Sequence, residues 1–251
     1  MRQVAGCRRC APVLRRYGVH GTRLRVEAES ESLAQRFDEI LKPFTVRGEG
    51  GGGLLVRMRY GNPRQLQATP KGMRLTWRGV PAGGSYTAAY ASENSRRIHL
   101  PGLALVRVDL RRGEAQITVK PDEEWRLDRN CITPVLCEFF GRAGQDVVHA
   151  ASLSADDRAV LLAGPSGAGK TTTALALARS GMRLMADDAS FVGRDGLAAS
   201  SKTLAVWGLP RPCRVHKKTL AMMPWLDGIP RRRALLDAEF LIDVTTLSPN
   251  Y

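Results

Sequence analysis

Five apolar residues, Ala159-Val160-Leu161-Leu162-Ala163, run directly into Gly164-Pro165-Ser166-Gly167-Ala168-Gly169-Lys170-Thr171, and a helical stretch follows over 171–180 with Gly181 placed as its C-cap. Strand, Gly-x-x-x-x-Gly-Lys-Thr and helix in this order are the context of a phosphate-binding loop. The glycines let successive backbone N–H groups face phosphate oxygens, and the helix N-terminus adds favourable potential. On this reading Gly164, Pro165, Ser166, Gly167, Ala168, Gly169, Lys170, Thr171 and Thr172 hold a nucleoside triphosphate. Lys170 reaches the β and γ phosphates and the Thr171 hydroxyl sits on magnesium, so ATP and Mg2+ are the expected cofactors.

A second apolar run, Met182-Arg183-Leu184-Met185-Ala186, ends in Asp187-Asp188. This strand is expected beside the loop strand, where a magnesium-holding carboxylate belongs. Consecutive side chains of an extended chain point to opposite sides, so the two carboxylates should divide the work. One binds metal directly or through water, and the other accepts the proton of an attacking hydroxyl; which does which stays open. His149 is expected on the strand preceding the loop, as a structural or a catalytic histidine. Arg211, between Pro210 and Pro212, either offers phosphate a rigid set of donors or sits on a surface turn, and Lys217 and Lys218 come after it as candidates.

The first 145 residues carry no nucleophile, metal cluster or phosphate loop, and read as an α+β region serving recognition or packing. Strands are expected over 23–28, 54–60, 73–77, 103–110 and 115–119, the last two joined as a hairpin across Arg111-Arg112-Gly113. Leu33, Phe37, Ile40, Leu41 and Phe44 recur at helical spacing, with Ser32 and Gln35 as a capping box and Pro43 limiting the far end. Glycines 50–53 form a loop, and a helix over 132–140 closes at Gly141. Beyond it, Val147-Val148 opens a strand, Ala155-Asp156-Asp157-Arg158 turns, 159–163 is a short buried strand, and a last strand covers 239–244.

The formal net charge of +14 raises the question of an anionic partner. Its arginines fall in twos and threes, as at Arg8-Arg9, Arg96-Arg97 and Arg231-Arg232-Arg233, without interleaved aromatics, which argues against nucleic acid. Cys7, Cys10, Cys131, Cys137 and Cys213 make no even disulfide framework, and Cys7-x-x-Cys10 has no second pair to complete a zinc site. With Arg and Gly inside residues 1–20 and no run near the roughly 20 apolar residues of a membrane span, a cytoplasmic protein is expected.

His149, the glycine loop and Gly181-Met182-Arg183-Leu184-Met185-Ala186-Asp187-Asp188 together resemble the catalytic domain of HPr kinase/phosphorylase and the HPr-kinase-related proteins. The resemblance implies an α/β chain in which a P-loop-containing domain of the HPr-kinase/carboxykinase type, residues 146–251, is preceded by a smaller α+β domain, residues 1–145. It further implies Lys170 and Thr171 for ATP-magnesium, Asp187 and Asp188 for metal and base, and His149 near the transferred phosphate. Bifunctional members carry Glu after the loop Ser or Thr where this chain has Thr172. Their Glu-x-Arg-Gly signature is replaced by Trp207-Gly208-Leu209-Pro210-Arg211-Pro212. Phosphorylase activity and HPr as acceptor therefore drop out of the expectation.

What remains is an ATP-dependent kinase acting on a Ser-type hydroxyl of a protein or peptide, short after the Asp pair and thus truncated, degenerate or completed by a partner subunit, with a homo-oligomer left open. Two other readings stand beside it: a small-molecule kinase or NTPase, and a nucleotide-binding regulatory module with little turnover.

Overall fold

The computed structural model describes residues 11–48, 53–63, 69–80, 86–123, 126–127, 131–194, 204–233 and 239–247; Cys7, Cys10, the Arg8-Arg9 pair and glycines 50–52 lie outside these. Strands β1 (Val13–Val19) and β2 (Thr22–Ala28) form a hairpin, turned at His20 and Gly21 with φ of 44° and 78°. Two consecutive positive φ angles make a type I′ turn, whose twist suits a two-residue hairpin. Helix α1 (Glu31–Leu41) comes next. Its N-cap is Ser30, whose hydroxyl accepts from the Leu33 N–H at 3.2 Å, rather than the expected Ser32. Leu33, Ala34, Phe37, Ile40 and Leu41 give it one buried face.

This helix carries the chain across to β3 (Leu54–Tyr60), parallel to β2. The chain then jumps to the far edge and returns strand by strand through β4 (Arg74–Gly79), β5 (Thr87–Ala91), β6 (Ser95–Leu100), β7 (Ala104–Asp109) and β8 (Glu114–Val119). The last of these closes parallel to β3, giving an eight-stranded mixed sheet in the order β1-β2-β3-β8-β7-β6-β5-β4. The β7–β8 hairpin forms as expected, with the Asp109 carboxylate accepting from the Arg111 and Arg112 backbone N–H groups at 3.0 Å.

Helix α2 (Thr133–Arg142) lies against the inner face, and Gly141 falls inside it; the chain turns instead at Gly144, φ 80°. Next come β9 (Gln145–Val148), β10 (Ala150–Ala155), β11 (Arg158–Ala163), α3 (Lys170–Arg179), β12 (Arg183–Ala186), β13 (Ser190–Arg194) and β14 (Leu204–Gly208). The chain ends in β15 (Cys213–His216), α4 (Lys217–Met222), β16 (Arg231–Arg233), β17 (Glu239–Ile242) and α5 (Val244–Leu247). These strands make three small sheets, ordered β11-β10-β12, β14-β13-β9 and β15-β17-β16. The whole is a mixed α/β chain with one large mixed sheet and few helices, and no described helix is long and apolar enough to cross a membrane.

Two cores result. One lies between the large sheet, α1 and α2, and takes in Ala189, Phe191, Trp207 and Leu209 from beyond residue 146. The other packs α3 on β10 and β12 with Cys213, Val215 and Ile242. The N-terminal unit, expected as the smaller, thus holds the larger sheet and core. Trp207 joins the two parts. Its ring stacks on Phe191 at 4.2 Å between centroids and on His20 at 4.6 Å, with Phe140 edge-on at 5.1 Å.

Burial holds the pKa of His20 below the ordinary histidine value, and burial does the same at His99 against a raising hydrogen bond to the Pro63 backbone. Unfolded histidines bind protons near pH 6.5, whereas these two bind them only at lower pH. Their contribution to stability is therefore full above about pH 6.5 and is lost as the pH falls below it. The melting temperature should drop from about pH 7.5 to about pH 5. His20→Phe, which keeps the stack, should remove part of that drop; an identical pH slope in this variant would contradict the buried placement of His20.

Candidate functional site

Sequence order and sheet register bring the expected residues to one end of the β11-β10-β12 sheet. Strand β10 is antiparallel to both neighbours, so β11 and β12 run parallel on either side of it. The strand that ends at the Asp pair is therefore not beside the loop strand, as expected, but one strand further on, roughly 10 Å away at ordinary strand spacing. In register Ala163 faces Ala150 and Ala186 faces Ser152. Gly164, His149 and Asp188 consequently emerge at the same end, with His149 in the middle.

His149 does not lie on a strand. It forms the bend between β9 and β10, where the chain passes from the β14-β13-β9 sheet into the β11-β10-β12 sheet. Residues 187–189 make the reverse passage, from β12 to β13. Val148 pairs with Ser190, so the two crossings run side by side, and the buried Ser190 hydroxyl ties them by donating to the Ala150 carbonyl at 2.9 Å. Where a chain changes sheet its ladder stops, which lets side chains turn towards the strand ends. There His149 Nδ1 lies 3.1 Å from Asp188 Oδ1.

Arg211 completes this group, its Nη1 3.7 Å from Asp188 Oδ2. Of the two settings open to it from sequence, the surface turn is excluded: Arg211 is 8% exposed, in the stretch between β14 and β15 that is anchored by Leu209 N–H donating to the Ala189 carbonyl at 2.9 Å. The two aspartates face different surroundings. Asp187 is buried, its Oδ2 accepting from the Arg214 backbone N–H at 3.3 Å, while the Asp188 side chain stays 35% exposed. Burial, then the negative charges of Asp187 and Asp243, push the Cys213 thiol well above its ordinary pKa and keep it neutral.

On the other flank, β11 is an outer strand with Arg158, Ala159 and Val160 exposed, not the buried strand its apolar composition suggested. The loop bends at Gly167 and Gly169, φ 82° and 89°, angles that favour glycine. Lys170 Nζ donates to the Gly164 and Pro165 carbonyls at 2.8 and 3.2 Å, so its charge is held over the loop. Residues 165–168 are exposed and Thr171 is half-buried. Gly181 caps α3 as expected: the Met182 N–H reaches the Leu177 carbonyl and the Gly181 N–H that of Ala178, both at 3.1 Å. Thr172 turns to α4, its hydroxyl 3.2 Å from that of Thr219. Among the described residues no hydrogen bond or ion pair joins Lys170 or Thr171 to either aspartate. Lys217 and Lys218 are exposed on α4.

One residue that sequence reasoning did not single out controls the Asp pair. The β10–β12 pairing skips Met185: Ser152 faces Ala186 and Leu153 faces Leu184. Such a bulge bends its strand and re-aims the residues after it, here Asp187 and Asp188. The bulged backbone presses on Gly208 of β14, where a Cβ would lie 2.2 Å from the Met185 carbonyl oxygen. The signal was Gly208 itself, a glycine ending a strand and marking a close backbone approach.

No family model, curated protein or solved structure matches this chain. The fold and site therefore define it as a mixed α/β protein with a glycine-rich strand–loop–helix and a His–Asp–Arg group at one sheet end.

Because the atoms in the way at Gly208 are backbone, Gly208→Ala should cost about 3 kcal/mol and lower the melting temperature by roughly 5 to 10 °C. A variant as stable as the parent would mean that the bulge does not lean on β14.

Proposed function

We propose that this chain is an ATP- and magnesium-dependent kinase of the HPr-kinase type that phosphorylates a Ser-type hydroxyl of a protein or peptide. The observation that carries the reading is the meeting, at one sheet end, of a strand–glycine loop–helix bearing Lys170 with the His149–Asp188–Arg211 group. ATP would supply the phosphoryl group and magnesium the positive charge between its phosphates. The donors it would take are the carboxylates of Asp187 and Asp188, which follow β12 at the same sheet end as the loop. Magnesium is commonly held by one or two carboxylates, with phosphate oxygens and water filling the rest.

Lys170, released from the loop carbonyls, would neutralise the β and γ phosphates, and the loop amides would line them. Thr171 and the buried Asp187 would hold the metal. Asp188, the half-exposed carboxylate, would orient the acceptor hydroxyl and take its proton as the oxygen attacks the γ phosphorus and ADP leaves. His149 and Arg211 flank Asp188. Arg211 would offer its rigid set of donors to an oxygen of the transferred group.

Incubation with radiolabelled ATP, magnesium and a set of Ser-centred peptides, followed by mass spectrometry, tests this. Labelled peptide is expected, with transfer reduced at least about a hundred-fold by Lys170→Ala and by Asp188→Asn. Transfer untouched by both substitutions would overturn the assignment. Inorganic phosphate without labelled peptide would replace it by an NTPase, and tight ATP binding with neither product by a nucleotide-responsive module.

A further inference from the structure

The outer face of the eight-stranded sheet, turned away from α1, carries a row of residues that sheet register sets level: Glu27, Arg57, Gln116, Arg107, Arg97 and Tyr90, on six successive strands. Arg57 is neutralised by Glu27 and Glu114, at 3.1 and 3.2 Å. Arg97 and Arg107 are directly opposed cross-strand partners, and neither forms an ion pair among the described residues. Like charges directly opposite one another weaken a sheet. A sheet that keeps them here has a repulsion that an anion would relieve.

Above this pair opens a cleft of about 420 Å³, walled on one side by Lys71-Gly72-Met73 and lined also by Arg112. Its two carboxylates are already engaged: Asp109 accepts from the Arg111 and Arg112 backbone N–H groups, and Glu114 pairs with Arg57. Lys71, Arg97, Arg107 and Arg112 all line this cleft, and none of the four forms an ion pair among the described residues.

We propose that this cleft docks an acidic segment of the polypeptide that carries the accepting hydroxyl. Guanidinium groups facing a narrow cleft suit separate carboxylates, which each can grip with two parallel hydrogen bonds. A nucleic acid suits it less well. Among the described residues no aromatic side chain lines the cleft for bases to stack on. The proposal rests on the kinase reading only for the identity of the bound chain; the cleft and its charge stand apart from the catalytic residues.

Fluorescence anisotropy of a labelled Asp-Ser repeat peptide, titrated with the full-length protein at low salt without ATP, tests the docking. Binding is expected, weakening with added salt. Arg97→Ser with Arg107→Ser should weaken it at least about ten-fold, whereas Lys120→Ser with Arg142→Ser, exposed cations outside the cleft, should change it less than about two-fold. The melting temperature of the first pair should not fall, since the substitutions remove a repulsion. Lys170→Ala should leave peptide binding in place, so docking and catalysis can fail separately. Equal losses from both pairs would replace the cleft by diffuse charge. Tighter binding of a single-stranded oligonucleotide, lost with Arg97 and Arg107, would assign the face to nucleic acid instead. No binding of the acidic peptide would overturn the proposal outright.

Discussion

Trp207, stacked on Phe191 with ring planes 10° apart, meets His20, Phe44 and Phe140 of the N-terminal part, and through these contacts the two parts of the molecule become one. Phe191 belongs to β13 and Trp207 to β14, paired residue to residue, so one sheet presents two aromatic rings to the N-terminal core. The β1–β2 turn offers His20 to the far side of Trp207, α2 offers Phe140, and Phe44 closes the edge at 6.2 Å. The indole N–H, which would be costly to bury alone, donates to Gln145 at 2.7 Å on β9, the third strand of the same sheet. The His–Asp–Arg part of the site hangs from this sheet, the glycine loop from the β11-β10-β12 sheet. His149 follows β9, Asp188 and Ala189 lead into β13, and Gly208 ends β14 ahead of Arg211.

The electrostatics of the site come from those passages. A buried arginine needs a partner, because an unpaired charge in a low-dielectric setting is expensive. Asp188 lies 3.7 Å from Arg211, a loose approach that leaves the carboxylate partly in water and within reach of His149. Asp187, one residue earlier, turns the other way into the protein and binds a backbone N–H. The bend after β12 thus separates two identical side chains into a buried one and a partly exposed one.

Much of this was legible in the sequence, and the reasons for the rest are specific. The glycine loop, α3, its Gly181 cap and the strand before Asp187 arise from local chemistry, and all stand where the residues put them. One strand is expected from Val147 through His149 towards the turn at Ala155-Asp156-Asp157-Arg158, where the structure has two, β9 and β10, broken at His149. The turn itself stands where expected, with Asp156 and Asp157 at positive φ, 48° and 58°, as a two-residue hairpin requires. That β10 lies between β11 and β12 is a matter of sheet order, which local pattern does not carry. The exposure of β11 could not be read either, since an apolar run of five looks the same at the outer edge of a small sheet as in the middle of a large one. In the N-terminal half β1 and β6 went unread because arginines interrupt their apolar residues, as in Val13-Leu14-Arg15-Arg16-Tyr17, and β5, Thr87-Ala88-Ala89-Tyr90-Ala91, because three of its five residues are alanine, a poor strand former. Alternation places one arginine of each pair on either face: Arg15 shares the face of Tyr17 and Val19 and meets Asp38 of α1 at 2.8 Å, and Arg96 shares that of Ile98 and meets Glu138 of α2 at 2.9 Å.

That same alternation turns a diffuse net charge into a directed one. Along the chain the arginines look scattered, yet a period of two on paired strands stacks every second residue onto one face. Arg25 is level with Leu55, Arg57 with Gln116 and Arg97 with Arg107, while Val26, Val56, Val106 and Val108 point into the core. Composition alone therefore could not distinguish a solvated surface from a charged face. Register can, because it decides which cations meet a carboxylate across the strand and which meet another cation. Glu27 answers Arg57, whereas on β6 and β7 Arg97 and Arg107 face each other directly.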